Sequence, residues 1–434
     1  MSAPARFGRT RAATVALVAA CALSSCTFLP AGTVASTSPP TTGSPASSPA
    51  GEGGTDEISP LVIDAVAPDP IPVPGSDELV HVAYELTVLN FAPRPAVITS
   101  VETLAPDGDV VTSLSEDEVA ARTLIVADYG GAEPFEGGPG LRIPSGRTAL
   151  LVLDDTYAAQ DDVPASVTHR ISASFGTPET GEGGIAVLWP DEVTQTGGPV
   201  TISSDEPVEI GAPLGGQGWL VSNGCCALDA HRNVILPVAG RINAAERFAI
   251  DLSMIDVAAT REGGYRPSVE VDGDPERNED YLAYGAPVLA VADATVVAVH
   301  DSVPDTPPGT LPLGPGFTIA NLGGNSVALE LAPDLFAVYY HLAPDSVTVE
   351  VGDRVSEGDE IARLGNSGNS SAAHLHFQLS RTPLIFSSDA VPYVIDEFTV
   401  VGSIDPVSGD LLEQPNPGPR RDALPLALTV VDFG

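Results

Sequence analysis

His374 and His376 are separated by one residue inside the apolar run His374-Leu375-His376-Phe377-Gln378-Leu379. Such a run has strand character, and a strand sends alternate side chains to the same face, so both imidazoles project together. At the rise of a strand their Cα atoms lie roughly 6–7 Å apart. That spacing lets one imidazole ligate a metal while the other moves protons. The segment Leu364-Gly365-Asn366-Ser367-Gly368-Asn369-Ser370-Ser371 just before them is rich in Gly and Ser and leaves the approach uncluttered. The whole chain holds only seven His, which sets this pair apart from background scatter. Alone, a His-x-His strand can equally be a polar stripe facing solvent, so its neighbours decide.

Those neighbours are chemically patterned. Ala337-Val338-Tyr339-Tyr340-His341-Leu342 places a further His in an apolar, aromatic strand. Val349 to Ala362 carries Gly352-Asp353 and Gly358-Asp359 and reads as a compact hairpin. Tyr284 to Val297 reads as two more strands. In this order and spacing the segments resemble the lysostaphin-type (LytM-like) zinc metallopeptidases, over about residues 225–400. The resemblance implies a LytM-like antiparallel β-sheet or barrel-sandwich domain, a zinc cofactor and cleavage of peptide bonds in bacterial cell-wall peptidoglycan. It also implies zinc ligands from a His-x-x-x-Asp motif and from the second His of His-x-His. Carried over by position, Asp251 and His376 are metal ligands, and His341 and His374 are the catalytic acid/base and transition-state groups. Asn325, in Gly323-Gly324-Asn325, resembles the family's Gly-x-Gly-Asn stretch along the substrate groove. Of the paired tyrosines, one is expected in the core and the other, Tyr340, in the groove.

The chain departs from this pattern at one position. Four residues before Asp251 stands Arg247, whose guanidinium stays protonated and cannot ligate zinc. A second reading follows from it, a catalytically degenerate LytM-like domain that binds peptidoglycan or regulates another cell-wall hydrolase. A replacement ligand can also be read from the residues. If Val234–Val238 and Phe248–Leu252 pair as antiparallel strands about Arg241, His231 falls opposite Asp251, about 5 Å away at Cβ. A slip of one residue would turn one of them to the wrong face. His300, at the end of another apolar strand, is the weaker substitute.

Composition bounds the partners. All 19 basic residues are Arg, against 58 acidic residues, for a net charge of −39. Phosphate binding needs basic surface, so nucleic acid is excluded as a partner. Anionic wall polymers would be repelled as well, so contact with the wall has to be local.

The chain begins with Arg6, Arg9 and Arg11, a short apolar stretch from Ala12 to Leu23, and Leu23-Ser24-Ser25-Cys26. This reads as a lipoprotein signal peptide over residues 1–25, with Cys26 as the lipidated residue. The expected location is extracytoplasmic, with the membrane as a partner through that lipid. Residues 26–57 hold the anchor and a Ser/Thr/Pro/Gly-rich tether unable to bury a core. Short alternating strands between 58 and 209, Val80 to Asn90 among them, suggest an immunoglobulin-like β-sandwich and a mainly β chain. Residues 210–224 read as a linker and residues 401–434 as a C-terminal tail. Cys225 and Cys226 can form a vicinal disulfide, ligate a metal or stay as buried thiols, and a structural role is favoured.

Overall fold

Residues 80–90 alternate so regularly that both faces of one strand acquire a purpose. In the computed structural model this strand, β1 (Val80–Asn90), pairs antiparallel with β2 (Thr148–Tyr157) along nearly its full length. Described are residues 58–434 except 126–140, 177–188, 227–229, 239, 264–268, 271–272, 313–317, 385–387 and 415. The expected signal peptide, Cys26 and the tether therefore lie outside the described residues.

Val82, Tyr84, Leu86 and Val88 of β1 pack with Leu151 and Leu153 of β2 against Val101, Ile171 and Ala173 of a second, four-stranded sheet. Two antiparallel sheets sharing one core make the N-terminal sandwich. The intervening residues of β1 point the other way, yet His81, Ala83 and Glu85 are buried too. Ala83 belongs to the core of the C-terminal region. The C-terminal region covers this second face.

That region is built on a thirteen-stranded sheet. Its centre runs β3 (Gly216–Asn223), β4 (Ile250–Met254), β7 (Leu375–Ser380), β6 (Leu335–Leu342) and β5 (Asn325–Ala332). Trp219, Val221, Ile250, Leu252, Tyr339, Leu375, Phe377 and Leu379 fill the core beneath it. Each large apolar side chain so buried contributes about 1.5–3 kcal/mol.

Three expectations about this region are corrected. The supposed linker 210–224 contains β3, a central strand whose Trp219, Leu220 and Val221 are buried; its flanking glycines concealed a short apolar centre. The supposed tail is structural as well. Thr429–Phe433 pairs with β3 and with Tyr393–Ile404, so position 400 falls inside a strand. The Gly-Asp segment is not a hairpin. Arg354–Val355 pairs with Ala294–His300 and Glu360–Arg363 pairs with Pro287–Leu289, so each strand bonds back to an earlier segment. Gly352 and Gly358 supply the positive φ those turns require, 101° and 83°.

Candidate metal and catalytic site

Four residues stand in one row across the centre of the large sheet. Asn223 on β3 opposes Asp251 on β4, Asp251 opposes His376 on β7, and His376 opposes Tyr340 on β6. Opposed residues of antiparallel strands share a face, so the row follows from register alone. His374, two residues before His376, projects from the same side.

His231 reaches this row by a route other than the expected one. Ile235–Val238 does pair about a turn, but with Arg241–Ala244 and with Val238 opposite Arg241. Phe248, Ala249, Ile250 and Leu252 leave for the core, and β4 pairs with β3 and β7 instead. His231 sits in the turn before that hairpin. Its Nε2 lies 3.2 Å from Asp251 Oδ1, while His376 Nδ1 lies 3.1 Å and His374 Nε2 3.4 Å from the same oxygen. Ligand atoms of His231, Asp251 and His376 all lie within 4.8 Å of one another, and all three residues are buried.

The outer partners decide what these atoms can do. Gln378 Nε2 donates to Ala245 O, which fixes Gln378 Oε1 as an acceptor 3.1 Å from His376 Nε2. His376 in its neutral form therefore carries its proton on Nε2 and turns a lone pair at Nδ1 toward Asp251. His231 Nδ1 donates to Ala249 O at 3.1 Å, leaving a lone pair on Nε2. Asn223 Nδ2 donates to Asp251 Oδ2 at 2.7 Å and leaves Oδ1 to the centre. Two imidazole lone pairs and a carboxylate oxygen thus converge without a proton among the neutral forms, a donor set suited to a cation.

Burial alone would raise the carboxyl of Asp251, but the imidazoles of His231 and His374 hold it well below the usual carboxylate range. His341 and His374 diverge. Burial, then the neighbouring His374 and His376, push His341 well below the ordinary imidazole value. Burial would lower His374 too, but Asp251 outweighs it and the net direction is upward. Their rings lie 4.8 Å apart between centroids. Two close imidazoles with opposite protonation preferences suit opposite halves of a proton transfer.

His341 faces the cleft through a local backbone exception. Its φ is 62°, uncommon for a residue with a side chain, and it breaks the alternation that sends Tyr339 and Leu342 into the core. His341 Nδ1 donates to Ser367 O at 2.8 Å, which leaves Nε2 with the lone pair. A Cβ on Gly368 would lie 2.3 Å from Gly324 N, so the Gly/Ser loop lies backbone against backbone on the loop before β5.

His231, Asp251, His341, His374 and His376 line one cleft of about 330 Å³. Two expected groove residues do not. Asn325 is fully buried and brackets a loop: its Oδ1 accepts from Val303 N, and its Nδ2 donates to Val303 O and Leu342 O. Tyr340 is buried with its ring 5.6 Å from that of His376, so it backs the ligand from the far side of the row. His300 hydrogen-bonds Ser302 on the surface and stands outside the cleft. Cys225 and Cys226 form a disulfide buried in the core.

Sequence reading missed Asn223, Glu246, Asn369 and Ser370 on the cleft wall, and Gln378 behind it. For Gln378 a signal existed, since it continues the period-two series His374, His376, Gln378. Arg247 is engaged elsewhere: its Nη2 donates to Glu85 Oε2 at 2.5 Å. Burial would raise the carboxyl of Glu85, but Arg247 and then Arg232 hold it low.

The catalytic domain of the M23 protein EnpA from Enterococcus faecalis is 23% identical, with 30% of this chain and 83% of that one covered and a TM-score of 0.19. The catalytic domain of lysostaphin from Staphylococcus simulans is 20% identical, covering 39% and 83%, with a TM-score of 0.19. A zinc-containing peptidase from Vibrio cholerae is 13% identical, covering 72% and 82%, with a TM-score of 0.20. Residues 280–384 match Peptidase family M23, so the likeness read from the motifs falls on the strands bearing His341, His374 and His376, while His231 and Asp251 precede the matched segment.

Proposed function

We propose that this cleft is the centre of a zinc metalloendopeptidase that hydrolyses peptide bonds in peptidoglycan stem or cross-bridge peptides. In this reading the chain works outside the cytoplasm, tethered to the membrane by lipid on Cys26. The observation that carries the proposal is the convergence of His231 Nε2, His376 Nδ1 and Asp251 Oδ1, each with its other polar atom already satisfied. The match to Peptidase family M23 supports the peptidase class.

His231, Asp251 and His376 are the residues that would hold the ion. When bound, zinc supplies Lewis acidity to a substrate carbonyl and makes water more acidic. The chain's own residues do the rest. His341 is favoured neutral and its Nε2 is free of the Ser367 bond, so it accepts a proton within the cleft. His374, with its proton favoured, donates to charge developing on the scissile carbonyl oxygen or to the departing amine. Asn369 Oδ1 is buried without a partner among the described residues and offers an acceptor to a substrate amide on the cleft wall.

Arg247 supports the second reading, a degenerate domain that binds peptidoglycan or regulates another hydrolase. His231 argues against it, because it places a third donor beside Asp251 and His376. One experiment separates the two. Purified protein is assayed for zinc content and for release of new amino termini from purified peptidoglycan. About one zinc per chain with chelator-sensitive release supports the peptidase, whereas metal-free protein that only sediments with the wall supports the binding module.

A further inference from the structure

We propose that Glu85 of the N-terminal sandwich is a positioning residue for the metal centre, acting through Arg232 and Arg247 on the segments that carry His231 and Asp251. The inference rests on the metal reading above and extends it to a residue far away in sequence.

The large sheet fixes Asp251 and His376 directly, because β4 and β7 are each paired on both sides. It does not fix His231. That residue lies in a turn, and the hairpin after it forms a separate two-stranded sheet. The next residue ties this turn to the N-terminal strands. Arg232 Nη2 donates to Glu85 Oε1 at 2.9 Å, to Leu153 O at 3.2 Å and to Tyr84 O at 3.3 Å, and its Nη1 donates to Cys226 O at 2.8 Å. The guanidinium is thereby locked onto the β1–β2 pair.

Glu85 Oε2 takes Arg247 Nη2 at 2.5 Å and Nε at 3.1 Å. Arg247 stands two residues before Ala249, whose carbonyl receives the His231 Nδ1 proton. One carboxylate thus anchors both the residue after His231 and the segment that fixes its tautomer. All three charged side chains are at most 2% exposed, where a planar guanidinium fork tolerates little displacement. The N-terminal sandwich therefore completes the metal site, and the position where related motifs carry a ligand has become the anchor for its replacement.

The test measures zinc affinity of the full chain by competition with a chromogenic chelator, with near-UV circular dichroism confirming the fold of each variant. Arg232→Met leaves Glu85 paired with Arg247, so no unmatched charge remains buried. We expect it and Glu85→Gln to weaken zinc binding about 10–100-fold. Leu86→Ala, the adjacent residue facing the sandwich core, should lower thermal stability and leave zinc affinity unchanged. Should Glu85→Gln fail to fold, Arg232→Met decides alone. Wild-type zinc affinity in folded Arg232→Met overturns the inference while leaving the metal reading intact. Equal weakening by Leu86→Ala also overturns it, since the coupling would then be general loosening. Wild-type protein that binds no zinc overturns the metal reading and this inference together.

Discussion

Among the described residues two clusters gather a His, an Asp and a third donor within 4.8 Å, and only one of them suits a cation. The first is His231, Asp251 and His376; the second is His81, Asp154 and Cys226. At His81 both ring nitrogens face carboxylates: Nδ1 lies 2.9 Å from Asp154 Oδ2 and Nε2 lies 3.1 Å from Asp77 Oδ1. Burial opposes a charge there, but Asp154 and Asp77 outweigh it and raise the imidazole to about 9. That cluster already contains its cation, and the Cys226 sulfur is committed to the disulfide. At His231 and His376 one nitrogen is satisfied by a neutral acceptor, and the other is left facing a carboxylate. Proximity of donors is therefore a poor criterion for a metal site. The partner of the second nitrogen decides.

The largest effects should fall on one cluster alone. His376→Ala should remove stoichiometric zinc and reduce peptidoglycan cleavage to background, whereas Asp154→Ala should keep the zinc, both read by elemental analysis after dialysis. Zinc retained by the first variant would erase the distinction between the clusters. His341→Gln and His374→Gln should keep their metal and lower kcat by about 10²–10⁴-fold, the usual range for losing a general acid or base. Loss of metal from either would move that residue into the ligand set.

The second cluster should show itself in stability. A histidine raised from 6.5 to about 9 on folding contributes fully below about pH 6.5, and its contribution is lost as pH rises through 9. Urea unfolding should therefore find the protein roughly 3 kcal/mol less stable at pH 9.5 than at pH 6 on this account. His81→Gln should flatten that decline. A decline surviving in the variant would assign it to other groups. Finest is Gln378→Leu, which strips the acceptor from His376 Nε2 and should weaken zinc about 10-fold with the fold intact. Unchanged affinity would show that the tautomer is set without Gln378.

Much of the site was legible because it depends on short-range periodicity. His374 and His376 share a face by strand geometry, and the apolar runs around them announced buried strands. The strand Val80–Asn90 was legible for the same reason. Misreadings arose where pairing is non-local. Glycine-flanked Trp219-Leu220-Val221 resembled a linker until β4 and Thr429–Phe433 closed on either side. Asn325 carried a groove motif, yet its amide is consumed by Val303 and Leu342. His231 does lie beside Asp251, but not through the expected hairpin, because the apolar residues before Asp251 gain more from the core than from pairing with their neighbour.

By itself the sequence determined a mainly β chain, a strongly acidic surface and a strand with two histidines on one face. Only the tertiary structure decided that His231 completes the cluster, that Arg247 turns to Glu85, and that His81 meets two carboxylates. Periodicity is a property of a few adjacent residues, and any folded chain must obey it. A metal site depends on which distant strands become neighbours and on which acceptor takes each proton, and both are settled only when the core closes.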